Sequence, residues 1–131
     1  MKAASSPACP CGSAKFAGFA DCCGRFIDGG VLPETAELLM RSRYSAYTLG
    51  NEAYLRATWH ASTCPQDAIV QDAAAKWLGL EVKKHSQQGD TATVEFVARY
   101  KVDGRAHRLH EISRFTREDG RWLYVDGTFP G

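Results

Sequence analysis

The chain has 131 residues, 44% of them hydrophobic, and its 16 basic and 15 acidic side chains leave a formal net charge of +1. That length supports one core-forming domain plus an appendage. So small a charge gives no bulk attraction to nucleic acid or to a membrane surface, and no apolar run reaches the length of a membrane span.

The stretch from Met1 to Pro7 lacks the apolar segment of a secretory signal. Four of the five cysteines follow at once, in Cys9-Pro10-Cys11-Gly12-Ser13 and Cys22-Cys23-Gly24. Four thiolates so close in sequence form a natural tetrahedral cage for Zn²⁺. Residues 1–27 hold too few large apolar side chains for a core of their own, so a metal would supply the folding energy of this knuckle. A disulfide framework would need a secreted context and an even cysteine count. A redox pair is the competing reading, but a Cys-x-Cys doublet facing a Cys-Cys doublet favours ligation. Cys9, Cys11, Cys22 and Cys23 would close the coordination shell, which makes the expected zinc structural rather than catalytic. Pro10 and Gly12 suit a tight turn that aims backbone N–H groups at the sulfurs. Reduced thiols without an export signal place the expected protein in the cytoplasm.

Asp28-Gly29-Gly30 reads as a joint, and residues 31–131 as the second unit. A first long helix is expected from Pro33 to Gly50, its natural C′ residue. Asn51 caps a second, through Trp59. Pro65 opens a third, running through Asp72-Ala73-Ala74-Ala75-Lys76. After Gly79 the period changes from helical to alternating, with strands expected over residues 79–87, 91–102, 106–117 and 121–127. Asp103-Gly104 and Asp119-Gly120 are two-residue hairpin signals. Helices followed by an antiparallel meander make an α+β fold.

Several motifs carry a resemblance. Cys-Pro-Cys-Gly-Ser followed by Cys-Cys-Gly resembles the SEC-C zinc knuckle, also found at the end of the bacterial preprotein translocase ATPase. The spacing between Cys11 and Cys22 is longer than that motif usually has, so its loop must bulge. Met40-Arg41-Ser42-Arg43-Tyr44, Thr58-Trp59-His60, Trp77-Leu78-Gly79-Leu80, Phe96-Val97-Ala98-Arg99 and Tyr124-Val125-Asp126-Gly127-Thr128 resemble the bacterial YchJ family. The resemblance implies a nuclear-transport-factor-2-like cone, in which three helices pack into a curved sheet and leave a pocket. It implies a fold and a metal, not an activity.

Two-residue turns fix the hairpin registers. The first places Val102 opposite Arg105, Tyr100 opposite His107, Ala98 opposite Leu109 and Phe96 opposite Glu111; the second places Phe115 opposite Tyr124 and Ser113 opposite Asp126. Directly paired residues share a sheet face. One face then carries Ala92, Val94, Phe96, Ala98, Tyr100, Leu109, Phe115 and Tyr124, and Glu111, Ser113 and Asp126 land on it too. Unpaired carboxylates on a core face are costly. On the first long helix Ala36, Met40 and Tyr47 recur on one stripe, flanked by Leu39 and Tyr44, with Arg43 in its middle. The expectation is an ion pair between Arg43 and Glu111 or Asp126 inside the cone, with Tyr44, Trp59, His60, Tyr100 and Tyr124 around it. The plainer reading makes this a structural lock; the other makes it a ligand pocket with one carboxylate as general base. A small ligand in the cone is therefore the alternative function.

The remaining single residues say less. His60 should close the second helix, His110 should lie on the opposite sheet face beside Ile112 and Val97, and Cys64 reads as a packing thiol. Lys83-Lys84 and the stretch from Arg105 to Arg108 add scattered positive charge without an aromatic-lined groove for nucleic acid. Phe16, Phe19 and Phe26 either anchor a protein partner on the zinc knuckle or glue the knuckle down. The first reading of function is thus a protein-interaction module. Val97, Ile112, Leu123 and Val125 on the other sheet face point toward a homodimer.

Overall fold

The computed structural model describes residues 9–12, 18–67, 69 and 76–130. A 3-10 turn (Phe19–Asp21) leads into α1 (Cys23–Ile27), followed by α2 (Ala36–Leu49), α3 (Glu52–Ala57) and strands β1 (Lys76–Gln88), β2 (Thr91–Val102), β3 (Arg105–Glu118) and β4 (Arg121–Thr128). The strands form one antiparallel meander in the order β1-β2-β3-β4. This is the α+β arrangement expected from the pattern.

The helix ends follow local chemistry. Thr35 caps α2 by accepting the Leu38 N–H at 3.1 Å, so the helix begins at Ala36 rather than at Pro33. Gly50 ends it in the left-handed region (φ 69°), while Asn51 N–H reaches back to the Ala46 carbonyl at 2.8 Å. Asn51 then caps α3 through its side chain, 3.0 Å from Tyr54 N. That helix stops at Ala57, short of the expected Trp59, because residues 58–60 turn to β4: Tyr124 N–H donates to Thr58 O and His60 N–H to Tyr124 O, both at 2.8 Å. The third helix expected from Pro65 falls largely outside the described residues; residues 65–67 are not helical, and Lys76 already opens β1.

Both hairpins turn on Asp-Gly, with φ of 52° at Asp103, 77° at Gly104, 54° at Asp119 and 75° at Gly120. Positive φ at both central positions is the geometry whose twist matches the flanking strands. The β2–β3 register holds without a slip from Val102↔Arg105 to Thr91↔Thr116. The β3–β4 register holds through Phe115↔Tyr124 and then shifts, so that Arg114 faces Asp126 and Ser113 faces Gly127. Val125 is the extra residue of a β-bulge.

One core cluster joins the inner sheet face to α2. Leu39, Met40 and Tyr44 pack against Val94, Phe96, Ala98, Phe115 and Trp122, and the Trp122 indole donates to Glu34 O at 3.2 Å. Cys11, Cys22 and Cys23 belong to the same cluster. The cysteine segment thus lies on the domain and shares its interior. On the outer sheet face Val97 and Leu123 are already buried within the chain, while Ile112 and Val125 are half-buried.

Candidate metal centre and cone pocket

Two polar islands interrupt this interior, one on each side of α2. The first is the cysteine cluster. The Sγ atoms of Cys9, Cys11, Cys22 and Cys23 lie within 4.8 Å of one another, and all four residues are free thiols. A tetrahedral zinc with Zn–S bonds of about 2.3 Å places its sulfurs about 3.8 Å apart, so the quartet has the size of such a shell. Cys11 and Cys22 already approach to 3.5 Å.

The turn that presents Cys9 and Cys11 closes through Gly12 N–H to Cys9 O at 3.1 Å and needs the positive φ of 77° at Gly12. Cys22 is the N-cap residue of α1 and Cys23 opens it. Two α2 side chains support the cluster: Ser45, fully buried, lies 3.5 Å from Cys9 Sγ, and Arg41 donates to Cys11 O at 3.1 Å. The thiols are electrostatically unequal. Hydrogen bonds from Cys11 and Cys23 hold Cys9 far below the ordinary thiol range, with the Cys11 backbone N–H and Ser45 assisting. Burial pushes Cys22 up to about 12. The Cys11 and Cys9 thiols raise Cys23 further. Four thiols in one buried space cannot all ionise without a compensating cation.

Of the knuckle phenylalanines, Phe26 is 4% exposed and Phe19 packs half-buried on the core. Phe16 lies outside the described residues.

The second island is the inner end of the cone. A cavity of about 230 Å³ opens between α2 and the sheet. Met40, Tyr44, Tyr47, Trp77, Phe96 and Phe115 make most of its wall, and Arg43, Glu111, Ser113 and Tyr124 bring polar atoms to it. Glu111 is 8% exposed, and its Oε2 accepts from Ser113 Oγ at 2.7 Å and Tyr124 Oη at 3.0 Å. Burial first, and then the Glu111 carboxylate, raise the Tyr124 hydroxyl well above its ordinary pKa.

Arg43 departs from expectation. It makes no ion pair with Glu111 or Asp126. Its Nη1 donates to Leu55 O at 2.9 Å and to Thr58 Oγ1 at 2.8 Å, at the end of α3. Its guanidinium lies 4.9 Å from the Trp59 ring centre and 4.6 Å from that of Tyr124. One helix-end carbonyl, one threonine hydroxyl and two aromatic faces do the work that a carboxylate was expected to do.

Asp126 departs further. The bulge turns it to the outer face, where it pairs bidentately with Arg114 through two contacts of 2.6 Å. The inner position goes to Gly127, and a Cβ there would sit 2.6 Å from Glu111 Cδ. Glu111 therefore occupies space that only glycine leaves open.

The structure brings Arg43, Tyr44, Glu111, Ser113 and Tyr124 together at the cavity. Trp59 stands behind it, edge-on to Tyr124 at 4.9 Å. Tyr100 stands at one end, against Trp77 at 5.2 Å and His107 at 5.1 Å. His60 is outside: its Nε2 meets Glu118 at 2.7 Å and its Nδ1 meets Ser62 at 2.7 Å. His110 lies on the outer face as expected, 2.7 Å from Glu95. Among the described residues the Cys64 thiol meets Pro65 O and Arg56 Nη1, at 3.7 and 3.9 Å, and its backbone N–H donates to His60 O at 3.0 Å. The structure adds Tyr47 and Trp77 to the cavity wall, Thr58 as a partner of Arg43 and Gly127 beneath Glu111. Tyr47 shares the α2 stripe with Arg43, which was the available signal. Gly127 had none without the bulge.

Fold and cysteine cluster together define an NTF2-like α+β domain with an amino-terminal SEC-C-type arm. Comparison with known proteins agrees. The family described as YchJ_M-like (YchJ, middle NTF2-like domain) matches residues 35–127. UPF0225 protein RSc0270 of Ralstonia nicotianae is 60% identical over 95% of this chain and 92% of its own length. A UPF0225 protein of Cupriavidus metallidurans is 61% identical over 96% and 92%. Among solved structures, a SEC-C motif containing protein from Rhodopseudomonas palustris, RPA3114, superposes with a TM-score of 0.78 at 33% identity, covering 95% of this chain and all of that one. Another from Psychrobacter arcticus gives 0.71 at 28% identity, covering 95% and 83%. The chain belongs to the UPF0225/YchJ family. No helix among the described residues is long and apolar enough to cross a membrane.

Proposed function

We propose that this protein is a zinc-stapled module that binds a small molecule in its cone. The observation that carries the proposal is the cavity of about 230 Å³, whose aromatic wall ends in Arg43 and Glu111 with no ion pair between them. A cavity kept only for packing would be filled by side chains, because protein interiors approach crystal density. A concave apolar space with a few convergent polar groups is the usual form of a ligand site. The pocket reading requires no reaction: the hydroxyls around Glu111 bind and orient.

Zinc is the metal of this proposal because four thiolates in a closed set of the observed size suit it, and its role is to hold the arm on α2. Thiols available for a metal fit a reducing compartment, so the proposal takes the cytoplasm as the protein's location.

A second reading keeps the arm as a docking surface for a protein partner. It rests on Val31 and Leu32, adjacent residues just after α1 that are 50% and 52% exposed. Native mass spectrometry of protein purified without added metal separates the readings. The proposal expects one zinc per chain and a bound small molecule lost from Arg43→Met. A zinc-loaded protein that carries no small molecule, binds none from a metabolite extract, and holds a protein partner lost on Val31→Ser/Leu32→Ser overturns it.

A further inference from the structure

We infer that the cone takes a neutral, flat ligand bearing an amide-like edge, with its N–H directed to Glu111 and its C=O to Arg43. This rests on the pocket reading above and names the class of molecule that the pocket fits.

Charge balance carries the inference. One guanidinium and one carboxylate reach the same small cavity, without an ion pair between them. An anionic ligand meets Glu111, and a cationic one meets Arg43. Because Arg43 and Glu111 are themselves buried, either repulsion is strong. A neutral group with a donor beside an acceptor satisfies both at once, and leaving either unsatisfied would cost binding.

Hydrogen bonding agrees. Both hydroxyls at this end, from Ser113 and Tyr124, donate to the same carboxylate oxygen, Oε2. No described protein group donates to Oε1, which is left to accept a ligand's N–H. On Arg43, Nη1 carries the bonds to Leu55 O and Thr58 Oγ1. Those bonds and the flanking rings of Trp59 and Tyr124 hold the guanidinium in place before any ligand arrives.

The wall sets shape. Tyr44, Tyr47, Trp77, Phe96 and Phe115 offer ring faces and edges, which favour a flat aromatic body. An apolar cavity of about 150 Å³ accommodates benzene. About 230 Å³ therefore takes one ring with a polar head.

Four probes on one ring test this with the full zinc-loaded chain: benzamide, benzoate, benzylammonium and toluene, titrated by ligand-observed NMR. The expected result is benzamide binding about 10-fold or more tighter than each of the others, the effect of satisfied hydrogen bonds to charged groups. Glu111→Gln should weaken benzamide about 10-fold and leave toluene unchanged, since only the acceptor set changes. Benzoate or benzylammonium binding as tightly as benzamide overturns the ligand class and leaves the pocket reading standing. Toluene equalling benzamide does the same. Binding of no probe overturns both. The four-probe order is measured on the native chain, so it decides the question even if the variant fails to fold.

Discussion

The two polar islands beside α2 solve the same problem differently. At the cysteine end three buried thiols and the half-buried Cys9 crowd one another, and the α2 cation beside them, Arg41, bonds a carbonyl rather than a sulfur. At the cone end the charges are already accommodated: Glu111 by two hydroxyls, Arg43 by a carbonyl, a hydroxyl and two rings. The metal proposed for the first island would relieve that crowding. The second has its charges satisfied within the chain, and the proposal gives its spare hydrogen-bonding capacity to a ligand. The proposal thus assigns stability to one face of the helix and binding to the other.

The largest expected effect tests the first half of that contrast. Strong chelation, or Cys22→Ser/Cys23→Ser, should destabilise the protein by at least ~3 kcal/mol, roughly 10 °C in melting temperature for a chain of this size. Thermal melts with and without chelator read this directly, and unchanged melting would break the comparison. Next in size is Gly127→Ala. The added methyl collides with Glu111 and should cost about 1–3 kcal/mol in denaturant unfolding while weakening any pocket ligand. Glu111→Leu should cost about 2 kcal/mol by leaving the Ser113 and Tyr124 hydroxyls without their acceptor, whereas Glu111→Gln should cost under ~1 kcal/mol because its oxygen still accepts. Equal losses from the two would show that the carboxylate charge, not hydroxyl satisfaction, holds the island together.

A pH titration sharpens the second half. Folding raises the Tyr124 pKa, and burial also raises those of Tyr44, Tyr47 and Tyr54. A group with a raised folded pKa gives stability that is complete below its unfolded value, about 10 for tyrosine, and is lost as pH rises beyond it. Stability should fall on the alkaline side above about pH 10, and Tyr124→Phe should flatten that fall. The smallest effect is expected at Arg114→Ala. Asp126 has its pKa lowered by Arg114, so its contribution is present at neutral pH and lost on acidification, but both groups are exposed. Neither melting nor the acid limb should move measurably.

Local rules carried much of this structure. The Asp-Gly turns set every β2–β3 partner correctly, and they set the β3–β4 partners as far as Phe115↔Tyr124. Gly50 and Asn51 marked the junction of two helices because each has a specific cap chemistry. The cysteine spacing announced its own cluster. What failed depended on contacts distant in sequence. The bulge at Val125 has no local signature, since Tyr-Val-Asp-Gly-Thr continues a strand pattern either way. Once the register slips, Asp126 and Gly127 exchange faces. Arg43 was correctly placed among apolar residues, yet its partners came from α3 and aromatic rings, which a search for opposite charges does not weigh. His60 followed the same course, because the segment after α3 pairs with β4 instead of continuing the helix.

That pairing at Tyr124 has a further effect. A meander of four strands leaves two outer edges with unsatisfied backbone groups, which invite other chains to add on. On β4 the segment Thr58–His60 takes both backbone bonds of Tyr124 and blocks extension at mid-strand. On β1 two register irregularities and the exposed Lys83 and Lys84 roughen the margin. Both borders thus carry features that oppose the addition of a strand from another chain.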